Sequence, residues 1–246
     1  MNGGLQAFEA GLAARLRRGE RVVLYGPRGT GKTRLVRQLQ SQFLHAGVPC
    51  GCASTTAHLD DITRALMAAY PDVDAAAVKR RTARSRLWVA ADRQAGILLL
   101  DHVTDVSNAM VGFMRRLVGG LVGVLWVVDV DVERERTLLR PRRLGGLPAR
   151  MPLMPPAGLH RLWRARCAAL KLDGVGEEVE QLLVRAAHGR PGWIVRCAEL
   201  ATQPRYWREQ RLALTTLLCT DAEIVLREGS ATALPFEELS RRAVLH

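Results

Sequence analysis

Gly26-Pro27-Arg28-Gly29-Thr30-Gly31-Lys32-Thr33 is the stretch on which the reading of this sequence turns. Its glycines let the backbone curl until successive N–H groups, together with the start of the next helix, point at one anion. A lysine and a hydroxyl directly after the last glycine supply a charge for the outer phosphates and a ligand for a divalent cation. The flanks agree with this chemistry. Arg21 to Tyr25 is a short apolar strand running into the loop, and Lys32 to His45 has helical periodicity that ends near Gly47.

Beyond the loop the periodicity alternates. An amphipathic helix from Leu5 to Arg18 precedes the first strand, and a second strand is expected around Val48 to Ala53. Leu59, Ile62, Leu66, Met67 and Tyr70 mark one face of a helix stopped by Pro71, and another helix is expected from about Asp74 to Arg93. Ile97 to Leu100 is a continuous apolar run ending in Asp101, the pattern of a central parallel strand buried on both faces. A helix from Ser107 to Val118, a strand from Val122 to Val128 and a fifth strand near Ala149 to Leu153 complete the series. Strands alternating with helices predict an α/β domain with a parallel five-stranded sheet covered by helices, over residues 1–154. From 155 to 246 only helical periodicity remains, so a small all-helical lid domain is expected after the Met151-Pro-Leu-Met-Pro-Pro156 hinge.

With 246 residues, 48% of them apolar, the chain has enough material for a sizeable core. Met1 to Ala14 lack a basic segment followed by a long apolar run, and no stretch has the length of a membrane span, so the expected location is cytoplasmic. Cys50, Cys52, Cys167, Cys197 and Cys219 form no paired metal-ligand pattern and read as thiols. The formal charge of +12 comes almost entirely from arginine, since Lys32, Lys79 and Lys171 are the only lysines. A protein this basic is drawn to polyanions by counterion release, which makes nucleic acid the first partner to consider.

The loop implies a nucleoside triphosphate, and the expected ligands are ATP and Mg²⁺. Lys32 would reach the β- and γ-phosphates and the Thr33 hydroxyl would ligate the metal, with Asp101 at the tip of its apolar strand holding the metal's water shell. An additional strand and two helices lie between Lys32 and Asp101. This order resembles the additional-strand P-loop ATPases, including the AAA+ and STAND groups. The resemblance implies a water-activating glutamate after Asp101, where this chain has His102, which either accepts a proton or only packs. Asp105 is the other nearby carboxylate.

The resemblance also gives Asp129, at the end of the fourth strand, the place of a polar sensor for the γ-phosphate. It puts Arg142 and Arg143, with Arg140, where a trans-acting arginine finger stands in origin-recognition-like proteins, and this implies active sites shared between subunits of a homo-oligomer. His188-Gly189-Arg190-Pro191-Gly192-Trp193 looks like the Gly-x-Pro element of STAND ATPases, which would bring Pro191 near the adenine or ribose, with Arg190 or Arg196 as a substitute sensor arginine.

Two basic clusters are candidates for nucleic acid. Lys79, Arg80, Arg81, Arg84 and Arg86 crowd one helix, where Arg80 and Arg84, or Arg81 and Arg84, share a face, and Arg205-Tyr206-Trp207-Arg208 with Arg211 interleaves charge with aromatic rings. No base-reading signature accompanies them, so binding, to DNA first of all, is expected to be independent of sequence. The whole profile resembles the TnsC-type transposition regulators: an ATPase that oligomerises on ATP, binds DNA and recruits a protein partner that does the irreversible chemistry. The alternative is a STAND-like switch with slow hydrolysis that works through protein contacts alone. A small-molecule kinase fits less well, because no acceptor-binding motif stands out.

Overall fold

The computed structural model describes residues 3–54, 58–70, 80–103, 108–117, 122–129 and 145–228. The chain divides into two compact units, one made of Met1–Pro27 and Gly31–Pro152, the other of Arg28–Thr30 and Leu153–His246.

In the first unit, helix α1 (Gly3–Arg17) leads into strand β1 (Arg21–Gly26), followed by α2 (Lys32–His45), β2 (Cys50–Ala53), α3 (Leu59–Ala69), α4 (Arg80–Arg93), β3 (Gly96–Leu100), α5 (Asn108–Leu117), β4 (Val122–Asp129) and β5 (Leu147–Arg150). All four strand pairings are parallel, in the order β2-β3-β4-β1-β5. Side chains alternate between the two faces, as the pleat requires. Val122, Val124, Trp126 and Val128 of β4 meet Ile62 and Leu66 of α3, Leu87 of α4 and Phe113 of α5. Leu125 and Val127 face the opposite way, into a core shared with Leu12 and Leu16 of α1 and Leu35, Leu39 and Phe43 of α2. Each such side chain contributes about 1.5–3 kcal/mol by leaving water. The approach of α1 is close enough that a Cβ on Gly123 would stand 2.1 Å from the Leu16 carbonyl oxygen, so only glycine is accommodated there.

Two strand boundaries differ from expectation. β2 starts at Cys50 rather than Val48, because Pro49 has no N–H to donate, although its carbonyl still accepts from Ile97. β5 runs two to three residues earlier than the apolar pattern suggests. It is an edge strand paired to β1 alone, its last ladder bond is donated by the Met151 N–H to the Tyr25 oxygen, and Pro152 stops it.

The second unit contains α6 (Pro156–Leu170), α7 (Glu177–Ala186), α8 (Pro191–Leu200), a single 3₁₀ turn (Pro204–Tyr206) and α9 (Thr215–Glu228). Leu159 and Trp163, Leu183, Trp193 and Ile194, and Leu218 bring the four helices onto one core. The unit is helical as expected, with one addition: a two-stranded antiparallel hairpin, β6 (Trp207–Arg208) and β7 (Arg211–Leu212). Glu209 and Gln210 both adopt positive φ, 47° and 62°, the conformation that a two-residue hairpin turn demands. Neither residue signals such a turn in the sequence.

Candidate nucleotide site

The register of the sheet assembles the site. β1 and β4 pair so that Gly26 lies opposite Asp129, and β3 pairs with β4 so that Leu100 lies opposite Trp126. The start of the glycine loop, Asp101, His102 and Asp129 thus meet at the carboxyl ends of adjacent strands, where open parallel sheets bind their ligands.

Gly31 caps α2 in the left-handed region, at φ 93°, and as a glycine it brings no side-chain cap to the helix. No acid sits in its first turn either. An uncapped helix N-terminus without competing carboxylates is a ready cradle for phosphate. Lys32 is buried at the mouth of that cradle. Its ammonium donates to the Gly26 oxygen at 2.7 Å and to the Pro27 oxygen at 2.8 Å, and it pairs with Asp129 Oδ1 at 2.7 Å. An ammonium has three donors, and these contacts direct all three to protein acceptors.

Asp129 is held on its other side by His102, whose Nδ1 is 3.9 Å from Asp129 Oδ2. Burial pushes the Asp129 carboxyl up, but the contacts and charges of His102 and Lys32 outweigh it and bring the group down to about 2. The His102 ring is raised above its ordinary value, first by the interaction with Asp129 and further by the charge of Asp101, against the opposing effects of burial and Lys32.

His102 is a strained residue. Its φ of 50° lies in the left-handed region, which costs a non-glycine residue about 1–2 kcal/mol. Its backbone N–H donates to Asp101 Oδ1 at 3.0 Å, and Asp101 in turn is anchored by its own N–H on the Ala53 oxygen. The ring Nε2 lies 3.4 Å from Thr33 Oγ1 and 3.6 Å from Asp101 Oδ2. The half-exposed His102 ring thus stands between the hydroxyl and the carboxylate expected to hold Mg²⁺.

The residues fit ATP and Mg²⁺. A left-handed glycine cap, a buried lysine whose present partners are displaceable oxygens, and a hydroxyl and a carboxylate reaching one nitrogen are the parts a magnesium–phosphate complex uses. Magnesium keeps most of its waters and asks for one or two protein oxygens, so Thr33 and Asp101 suffice; bound there, it would neutralise phosphate charge. With such a complex bound, Lys32 would supply positive charge and the α2 N–H groups would orient the phosphates, with His102 and Asp129 as a polar pair at the same strand ends.

Other expected site residues fall elsewhere. Arg140, Arg142 and Arg143, and Asp105, lie outside the described residues, as do the side chains of Arg80 and Arg81. Pro191 opens α8, and within the second unit the Gly192 N–H donates to the Gly29 oxygen at 2.7 Å. Arg190 is mostly buried and pairs with Glu223 at 2.9 Å. Arg196 pairs with Glu199 at 2.6 Å.

Four side chains of the two basic clusters have internal partners. Arg84 is tied to Asp60 at 3.0 Å, with its Nε buried. Arg205 pairs with Asp221 at 2.9 Å and lies over the Tyr206 ring, while Tyr206 itself is wholly buried and donates its hydroxyl to Asp221. The Trp207 indole donates to the Ala201 oxygen. Tyr206 is thus closed to stacking and Trp207 is partly buried against the same core, while Arg208 and Arg211 stay exposed without a carboxylate among the described residues. The sequence pattern carries no signal for the ion pair between Lys32 and Asp129, which depends on the opposition of Gly26 and Asp129 across the paired strands β1 and β4.

Comparison with known proteins agrees with the geometry. No curated protein matches the sequence. Among solved structures, the Orc1 protein of Aeropyrum pernix in complex with DNA superposes with a TM-score of 0.57 at 17% identity, over 93% of this chain and 67% of that one. Domain III of the replication initiation protein DnaA of Thermotoga maritima gives 0.52 at 14%, over 90% and 93%. AMPPCP-bound DnaA from Aquifex aeolicus gives 0.52 at 17%, over 83% and 63%. At such identities the likeness is one of fold. The model of the AAA ATPase domain family matches residues 5–195, which takes in the glycine loop, Asp101, His102, Asp129 and the start of α8. With a phosphate cradle at the carboxyl edge of a β2-β3-β4-β1-β5 sheet and a helical unit behind it in sequence, this chain belongs to the AAA ATPase domain family.

Proposed function

We propose that this protein is an ATP-dependent switch that oligomerises when nucleotide bridges neighbouring subunits, binds DNA without sequence preference and recruits or releases a protein partner. The observation that carries the proposal is the threefold hold on Lys32 by Gly26, Pro27 and Asp129. An ammonium satisfied by protein in one state and by phosphate in the other gives the site two alternatives for nucleotide to choose between. Release of Lys32 frees Asp129 and with it His102, so the state of the phosphates is felt at the ends of β3 and β4.

Hydrolysis is slow on this reading. His102 stands where a glutamate would deprotonate water, and its interaction with Asp129 favours the protonated ring, which is a poor base. Arginines of the 140–143 segment, supplied by a neighbour, would complete the site and stimulate turnover. The formal charge of +12 and the likeness of fold to a DNA-bound Orc1 support DNA as the polyanion.

The alternative, a STAND-like switch acting through protein contacts alone, is favoured by the involvement of Arg84, Arg205 and Tyr206 in internal pairs. Light scattering in MgATP and MgADP, with and without duplex DNA, separates the two. The proposal expects a larger species in MgATP that is enlarged or retained on DNA. An unchanged monomer in every condition removes it, and ATP-dependent assembly indifferent to DNA at low salt leaves the protein-only switch.

A further inference from the structure

The helices α4 and α5 carry seven arginines, five on α4 and two on α5, against the single carboxylate of Asp92. Arg84 is taken by Asp60, but the others with described side chains are differently placed. Arg86 and Arg93 are exposed and stand seven residues apart, so they share one face of α4 about 10 Å apart along its axis. Arg115 and Arg116 are exposed at the end of α5. The guanidinium of Arg116 lies over the Trp88 ring, 4.2 Å from its centroid, and Trp88 also meets Phe113 with ring centroids 6.0 Å apart. This stack ties the basic end of α5 to the middle of α4 and makes one surface of two helices. Among the described residues, Arg86, Arg93 and Arg115 make no ion pair with a carboxylate. Compensation of the helix dipole accounts for basic last turns at Arg93, Arg115 and Arg116, but not for Arg86 or for a ratio of seven to one.

We infer that this α4–α5 face is the nucleic-acid interface and that Arg86, Arg93, Arg115 and Arg116 follow the phosphate backbone of duplex DNA. The inference rests on the DNA-binding reading above; of the four arginines only Arg86 belongs to the basic run that stands out in the sequence, and Arg93, Arg115 and Arg116 join it through the fold. Single strands are held by bases stacked on exposed aromatic rings, and among the described residues no aromatic side chain is more than partly exposed. The Trp88 face is already covered by Arg116. A surface of guanidinium groups without a stacking platform suits a regular duplex backbone, and it binds without reading sequence.

The test is the salt dependence of duplex affinity, measured in MgATP by fluorescence anisotropy on the full chain. The triple variant Arg86→Gln/Arg93→Gln/Arg115→Gln leaves the Arg116–Trp88 stack in place and spares every residue of the nucleotide site. Each lost phosphate contact removes about 0.9 from the slope of log K against log salt, so the slope should fall by about 2 to 3 and affinity at low salt by at least about tenfold. ATP affinity and thermal midpoint should match the wild type. The Lys versions of the same three positions should keep the slope, and Arg205→Gln/Arg208→Gln should leave it unchanged. A wild-type chain that binds the duplex and a triple variant with the same slope overturn this interface while the DNA-binding reading stands. A wild-type chain that retains no duplex at low salt removes both. Preference for a single strand or for polyglutamate over duplex contradicts the assignment to a duplex backbone.

Discussion

Each unit of the molecule holds a carboxylate between a histidine and a cation, and the two clusters do different work. In the first unit Asp129 is flanked by His102 and Lys32. In the second, Glu180 of α7 accepts from His160 at 2.6 Å and from Arg164 at 2.9 Å, both on α6. The groups are chemically alike, but their placement differs. Glu180 clasps two helices through side chains that rise from regular turns, and its cation, Arg164, is largely exposed. Asp129 ends a strand, beside an uncapped helix and a strained histidine, and its cation is buried among carbonyl oxygens that phosphate oxygens can replace. A buried ion pair becomes a functional site when its cation has a second set of acceptors available.

The largest effect that sharpens this contrast is expected from Lys32→Ala. Hydrogen bonds to a charged group contribute roughly 1.5–3 kcal/mol each, so ATP affinity should drop by at least about 10- to 100-fold in a titration with a fluorescent analogue. Glu180→Gln, in contrast, should leave ATP affinity unchanged and lower stability to denaturant by about 1–2 kcal/mol, discounted for the exposure of Arg164. If Glu180→Gln weakens ATP while Lys32→Ala does not, the assignment of roles is reversed.

Asp129→Asn should have a smaller effect, of opposite sign. Removing the carboxylate that competes for Lys32 should tighten ATP binding by about fivefold, equivalent to about 1 kcal/mol, measurable by calorimetry. Weaker binding in this variant would mean that Asp129 assists the phosphates instead of competing with them.

The smallest effects are those of pH. Asp129 is lowered from an ordinary 3.8 to about 2, so its contribution to stability is complete above the ordinary value and is lost as pH falls toward 2. His102 is raised, so its contribution is complete below its ordinary 6.5 and is lost as pH climbs through the raised value. In an NMR titration of the ring protons, His102 should titrate above 6.5 in the wild type and move back toward it in Asp129→Asn. An unmoved midpoint would detach the histidine from this pair.

Much of this was legible in the sequence because the strongest signals are local. The glycine loop between an apolar strand and a helix, the buried run ending in Asp101, and the change to helical periodicity after Pro155 each depend on neighbours a few residues apart. Pairing across the sheet was not legible. That Asp129 lies beside Gly26 follows from the parallel register of β1 and β4, strands separated by about a hundred residues of chain. Arg205-Tyr206-Trp207 misled for the related reason that burial is a tertiary property: a tyrosine between arginines reads as an exposed stacking platform, yet Tyr206 is fully buried against Asp221. The turn at Glu209 and Gln210 escaped because its positive φ angles are carried by residues that seldom adopt them.

The central claim is that Lys32 exchanges protein oxygens for phosphate oxygens when ATP binds. The chain has only three lysines, Lys32, Lys79 and Lys171, so selective lysine labelling gives a spectrum in which Lys32 is identified by loss of its signal in Lys32→Ala. Titration with MgATP should shift the Lys32 resonance to a new, saturating position and leave Lys171 where it was. A Lys32 signal that stays in place while ATP saturates the protein would contradict the account.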